Sequence, residues 1–260
     1  MIWGCFIYFA VAAVLLWTAG AALAWMAPRR KGFGTVSLWL TAGGVAVLGT
    51  YIIVMWVSLG RPPLRTMGET RLWYSLFISL CGLFVWLRQG YRWILSLSAL
   101  LATVFVCINI FNPEIHDKTL MPALQSIWFV PHVIVYMLAY ALLGVATLVA
   151  IYSILMKRRF DESIEGLVQT GWAFLTVGML FGALWAKEAW GHYWSWDPKE
   201  TWAAVTWLGY LAYIHLGDRK SRDLLPLLWL ILCFILLQMC WWGINYLPSA
   251  QATSIHTYAS

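Results

Sequence analysis

Thirteen consecutive residues, Trp190-Gly191-His192-Tyr193-Trp194-Ser195-Trp196-Asp197-Pro198-Lys199-Glu200-Thr201-Trp202, carry five aromatic rings and, Tyr aside, four ionisable groups. Rings offer broad faces for stacking, and a glycine such as Gly191 lets backbone approach a ligand closely. Mixed with Asp197, Lys199 and Glu200, they suit a flat, large, partly charged ligand. Five histidines, His116, His132, His192, His215 and His256, add a second chemistry. Neutral imidazole is a common axial ligand of haem iron. Ordinary readings stand beside these: tryptophan and tyrosine form belts at membrane interfaces, and Asp197-Pro198 reads as the N-cap and first residue of a helix.

The elements that must position these residues are membrane spans. The 260 residues are 62% hydrophobic and 11% charged, far more apolar than a soluble domain. The apolar residues fall in blocks of about 20, the length a helix needs to cross roughly 30 Å of hydrocarbon. Eight spans are read, at about 2 to 26, 36 to 58, 70 to 88, 91 to 110, 132 to 156, 166 to 187, 201 to 216 and 224 to 247. The expected fold is an all-α polytopic bundle forming a single membrane domain over 1–260, with no low-complexity tract and no internal repeat. The first span has no basic n-region, and Pro28-Arg29-Arg30-Lys31 follows it in place of a cleavage site, so it is expected to remain in the mature protein.

Basic residues near span ends are retained on the cytoplasmic side. One set of loops carries eleven: Arg29, Arg30, Lys31, Arg88, Arg92, Lys157, Arg158, Arg159, Arg219, Lys220 and Arg222. The other carries six: Arg61, Arg65, Arg71, Lys118, Lys187 and Lys199. Both termini are therefore expected outside. The longer connections, Leu59 to Thr70, Phe111 to Pro131, Glu188 to Glu200 and the tail from Leu247 to Ser260, also face outside. The net charge of +6 sits in short loops, where it sets orientation and gives little support to nucleic-acid binding. Cys5, Cys81, Cys107, Cys233 and Cys240 lie within spans with no CxxC and no CxxCH, which excludes an outer structural disulfide and a c-type cytochrome.

With that orientation, His132 opens the fifth span at the outer face and His256 lies in the outer tail, so the two can approach the Trp-rich run from either side as a bis-His pair. His215 sits at the opposite end of the seventh span, roughly 27 Å from Asp197 along a continuous helix. It cannot ligate the same iron. No histidine precedes His116, so an inner companion for His215 would come from another chain. His116 and His192 read as loop residues. Charges at membrane depth are costly unless paired or contacting a polar ligand, and an aromatic belt alone does not explain their mixing with Trp. The first outer loop, Arg61-Pro62-Pro63 through Glu69, reads as a turn with an Arg–Glu pair and a capping-type helix start. Its charges could also meet haem propionates.

At these residues the chain resembles the CcsA/ResC family of cytochrome c biogenesis proteins, the haem-handling core of system II. The family's signature WGxYWxWDPKETW is matched throughout Trp190 to Trp202, with His192 at a variable position. The CcmC and CcmF proteins of the other assembly system share a Trp-Trp-Asp core but not the continuation seen in Lys199 to Trp202. The Arg-x-Pro loop with Glu69, His132 before a Tyr-rich span, Gly243 to Tyr246 and Ile255 to Tyr258 extend the resemblance. It implies external haem ligation by His132 and His256, an intramembrane ligand at His215, and a haem-binding tryptophan-rich (WWD) segment over 188–202. That segment would use Trp190, Gly191, Tyr193, Trp194, Trp196, Asp197, Lys199, Glu200 and Trp202. It further implies a haem lyase component active with a CcsB/ResB partner, acting on haem b and the CxxCH of apocytochrome c, with a thioredoxin-like thiol reductant as a further partner. The membrane would be a bacterial inner membrane or a thylakoid.

Three other readings stand beside this one. A haem exporter would need the same ligands. A b-type membrane cytochrome would need histidine pairs at membrane depth, where this chain has only His215. A structural subunit leaves the paired outer histidines unexplained.

Overall fold

In the computed structural model, residues 2–26, 32–112, 122–158, 161–215 and 224–247 are described. Among them are eight α-helices: α1 (Ile2–Met26), α2 (Phe33–Leu59), α3 (Met67–Gln89), α4 (Arg92–Phe111), α5 (Phe129–Met156), α6 (Asp161–Trp190), α7 (Pro198–His215) and α8 (Leu225–Trp241). Short 3-10 turns, Pro122–Gln125 and Gly243–Tyr246, complete the described secondary structure. Six helices, α1 to α6, are long and apolar enough to cross a membrane. α8 is apolar over 17 residues, and the 18 residues of α7 reach about 27 Å. The chain is an all-α polytopic membrane protein.

The chain divides into two compact units, Met1–Leu124 and Gln125–Ser260. In the first, α1 packs on α2 and α4, and α3 packs on α2 and α4. In the second, α5 packs on α6 and α8, and α7 packs on α6 and α8. Each unit thus closes a ring of four helices in the same neighbour order, although the sequence shows no repeat.

Within a bilayer, helices associate through close backbone approach and side-chain-to-backbone hydrogen bonds, because lipid tails are as apolar as the helix surface. The first unit follows that rule. Ser37 Oγ donates to the Gly20 carbonyl at 2.6 Å, and Ser96 Oγ to the Ala21 carbonyl at 3.2 Å. Asn109 Nδ2 reaches the Gly68 carbonyl at 2.9 Å. A Cβ at Gly44 would stand 2.5 Å from the Trp17 indole nitrogen.

The second unit uses a glycine stripe on α6. Gly171, Gly178 and Gly182 recur at helical spacing on one face, and added Cβ atoms there would meet Leu143, Tyr136 and His132 of α5 at 2.8, 2.5 and 2.8 Å. α6 and α7 are joined by tryptophans: Trp172 Nε1 donates to the Trp207 carbonyl at 3.3 Å, and Trp207 Nε1 to Thr176 Oγ1 at 2.8 Å.

Candidate haem-handling site

His132 lies one turn inside α5, which starts at Phe129. Its half-buried ring packs on Tyr136, centroids 4.7 Å apart, and on Trp185 of α6 at 5.4 Å. Nδ1 stands 2.8 Å from the Gly178 carbonyl oxygen. A carbonyl can only accept, so Nδ1 carries the proton and the lone pair of the neutral ring is at Nε2. Trp185 in turn packs edge-on against Trp190 at 5.0 Å and against Phe129 at 5.1 Å. His132 is therefore linked by contact to the first tryptophan of the Trp190–Trp202 run. Further along α5, Tyr136 and Tyr140, and then Trp241 of α8, continue the aromatic chain through edge-to-face contacts at 5.6 and 5.7 Å.

The run begins where α6 ends. Gly191 stops that helix with φ 86°, a left-handed conformation that glycine adopts without penalty, and its N–H donates to the Lys187 carbonyl at 3.1 Å. Lys187 Nζ returns to the Gly191 carbonyl at 2.8 Å and lies 5.4 Å above the Tyr193 ring. Trp194 and Trp196 meet edge to face at 5.7 Å. Trp196 has φ 59°, a positive value that few tryptophans adopt, and its side chain is 69% exposed. Tyr193 is also exposed, and Trp190, Trp194 and Trp202 are half-buried. The Trp194 Nε1 atom is buried with no hydrogen-bond partner among the described residues.

The carboxylates have local backbone partners. Asp197 Oδ1 accepts from the Lys199 and Glu200 N–H groups at 2.8 and 3.1 Å. Glu200 Oε2 accepts from the Ser195 and Asp197 N–H groups at 2.7 and 3.3 Å. This is a capping box that starts α7 at Pro198, so the N-cap reading of Asp197-Pro198 is correct. It also accounts for both negative charges of the run without any ligand. Lys199 is half-buried, and its carbonyl accepts from Cys240 Sγ at 3.8 Å.

The first outer loop has the same construction. Glu69 pairs bidentately with Arg61 at 2.9 and 3.0 Å and accepts from the Arg65 and Thr66 N–H groups at 2.6 and 3.3 Å. Thr66 Oγ1 accepts from the Glu69 N–H, closing a capping box on α3. Burial, reinforced by the neighbouring Arg61, lowers the Arg65 pKa against the opposing pull of Glu69. The Arg–Glu turn expected from the sequence is present.

His215 ends α7, with Nδ1 2.9 Å from the Leu211 carbonyl, and its side chain is exposed. The length of α7 separates it from Asp197. His192 is exposed. His116 and His256, and with them Lys118 and Ile255 to Tyr258, lie outside the described residues.

Trp185, Tyr136, Gly178 and Gly182 surround His132, yet the motif reading does not include them. Their signal is in the sequence: a Gly-x-x-x-Gly pair at Gly178 and Gly182, with Gly171 seven residues earlier, marks the face of α6 that receives a neighbouring helix.

A polytopic helical fold, eight α-helices among the described residues, with an imidazole oriented beside an aromatic segment defines a class, the polytopic helical proteins with a histidine–tryptophan site. Residues 66–250 match the model of the family described as cytochrome C assembly protein. The cytochrome c biogenesis protein CcsA of Pelargonium hortorum is 30% identical, the match covering 81% of this chain and 82% of that one. CcsA of Chlamydomonas reinhardtii is 33% identical over 80% of this chain and 64% of its own length. CcsA of Solanum lycopersicum is 30% identical over 80% of each. The chain belongs to the cytochrome c assembly protein family, and its role is in cytochrome c assembly. Among solved structures, "Cytochrome c Heme Lyase CcmF" superposes with a TM-score of 0.73 at 18% identity. That match covers 92% of this chain and 46% of CcmF, so the two share a fold over about half of the larger protein.

Proposed function

We propose that this protein receives haem b, presents it at the outer membrane face and, with a CcsB/ResB-type subunit, supports its covalent attachment to the CxxCH segment of apocytochrome c. The observation that carries this reading is the His132 ring: Nδ1 is tied to the Gly178 carbonyl, the lone pair is at Nε2, and Trp185 and Trp190 form an aromatic wall beside it. A histidine that ligates metal characteristically donates its other N–H to a backbone carbonyl or carboxylate. His256 is the proposed opposite ligand, and His215 the ligand at the inner end of the path.

The exposed faces of Tyr193 and Trp196 offer stacking surface for the macrocycle, with Trp190, Gly191, Trp194 and Trp202 completing the segment over 188–202. The orphaned Trp194 N–H is a donor suited to a propionate carboxylate. Lys187, at the same end of α6, supplies positive charge for the same purpose. Asp197, Lys199 and Glu200 act by holding the segment at the start of α7. In the attachment step each cysteine S–H adds across a haem vinyl C=C, forming one C–S and one C–H bond with no net change of oxidation state. The protein contributes position, and no side chain is assigned as general base. A thioredoxin-like reductant would keep the client thiols reduced, and the membrane is proposed to be a bacterial inner membrane or a thylakoid.

The test is the reduced optical spectrum of the protein purified with its partner, beside His132→Gly and His256→Gly. Loss of a bis-His spectrum in each variant, with recovery on adding imidazole, is expected. A spectrum unchanged by both substitutions contradicts the ligand assignment.

A further inference from the structure

We infer that Gly182 and Gly178 are positioning residues that fix which nitrogen of His132 faces the ligand; this rests on the haem reading above and goes one shell beyond it. Three observations converge on the ring. The Gly178 carbonyl accepts the Nδ1 proton at 2.8 Å. A Cβ on Gly182 would stand 2.8 Å from both Cε1 and Nδ1, and contacts under 3.0 Å force something to shift. The ring also packs on Trp185 and on Tyr136, which itself occupies the space over Gly178, where a Cβ would come within 2.5 Å of Cδ2.

The ring therefore fits against α6 only because position 182 has no side chain, and that fit brings Nδ1 onto a carbonyl. The tautomer is thereby fixed with the lone pair at Nε2. A hydrogen bond from the distal N–H also makes imidazole a stronger donor to metal, and losing such a partner typically costs about 10- to 100-fold in affinity. Ordinary helix packing explains a small residue at Gly171, whose neighbour is Leu143. It does not explain why the tightest neighbour of Gly182 is the imidazole.

Gly182→Ala should tilt the ring off the Gly178 carbonyl, weaken haem retention by about 10- to 100-fold and raise the reduction potential of bound haem, since a weaker donor stabilises ferric iron less. Gly171→Ala, which meets only Leu143 and Leu142, should leave the potential of retained haem at the wild-type value. The decisive background is His132→Gly with imidazole supplied. There the supplied imidazole is not tethered to α5 and can shift away from an added Cβ, so adding Gly182→Ala should change potential and retention far less than it does with His132 in place. An equal loss in both backgrounds would overturn the inference and make Gly182 a packing residue.

A second measurement depends neither on haem nor on a glycine substitution. The ring-nitrogen NMR of haem-free protein labelled with 15N-histidine, assigned by subtraction of His132→Gln, should show the Nδ1–H tautomer for His132. An Nε2–H tautomer would overturn the inference. If His132→Gly leaves the haem spectrum intact, the haem reading fails, while the tautomer still decides the role of the two glycines.

Discussion

Asp197 illustrates how one side chain carries a structural role inside a segment rich in candidate ligands. Its Oδ1 holds two N–H groups at the start of α7, so the prediction at this position concerns the cap. Asp197→Ala should lower stability by about 1 kcal/mol, and Asp197→Asn, an equally good cap, should stay near wild type. Fluorescence-detected unfolding in detergent measures both, and equal loss in the two variants would mean that the charge itself matters. Glu69 is bound more heavily, with a bidentate arginine and two backbone donors while only 3% exposed. Glu69→Ala should cost about 3 kcal/mol or more by stranding Arg61 and the Arg65 and Thr66 N–H groups, and it should exceed the cost of Arg61→Ala, which leaves both halves of the capping box in place. The same unfolding assay ranks them. At this scale the sequence was legible where chemistry is local: the Asp-Pro and Thr-x-x-Glu signals specify caps that the folded chain contains. The surroundings of His132 were not, because Trp185 and Gly178 lie about 50 residues away and meet it only when α5 and α6 pack.

Helix placement was legible because a bilayer demands about 20 apolar residues per crossing, and each of the eight expected spans has an observed helix. The ends differ by up to nearly two turns. α6 runs to Trp190, beyond the expected 187, because Lys187 reaches the Gly191 carbonyl and lets the helix finish in polar surroundings. α5 starts at Phe129, before Pro131, since a proline in the first turn lacks only an N–H that has no intrahelical partner there. α8 stops at Trp241, short of the expected 247, where the chain tightens into the 3-10 turn Gly243–Tyr246. Helix pairing needs more than hydropathy, and the α6 glycines supply a test at this scale. Gly171→Ala forces a Cβ onto Leu143 and should destabilise the α5–α6 pair. Gly166→Ala meets nothing within 4 Å and should be neutral or gain up to about 1 kcal/mol of helix propensity. Similar losses at both sites, read from unfolding in detergent, would contradict packing through the stripe.

For the whole molecule, the distribution of basic residues predicts an orientation with the Trp-rich segment outside, the face proposed to meet apocytochrome. A cysteine at Ser195 should react with a membrane-impermeant maleimide in intact cells, while one at Arg158 should react only after permeabilisation. The reverse pattern would place the Trp-rich segment on the wrong side. The two four-helix units share a neighbour order that the sequence does not reveal, because packing order depends on side-chain shape more than on hydropathy. Family membership follows from residues 66–250, and the haem assignment makes a prediction about the client. The most direct measurement is covalent attachment itself. The protein is co-expressed with its partner and a CxxCH apocytochrome, and the client is assayed for haem that survives denaturing electrophoresis and gives a c-type pyridine spectrum. Haem-bearing client with wild type, little with His132→Gly and recovery of that variant with imidazole are the predicted results. Full attachment by His132→Gly without imidazole would contradict the account.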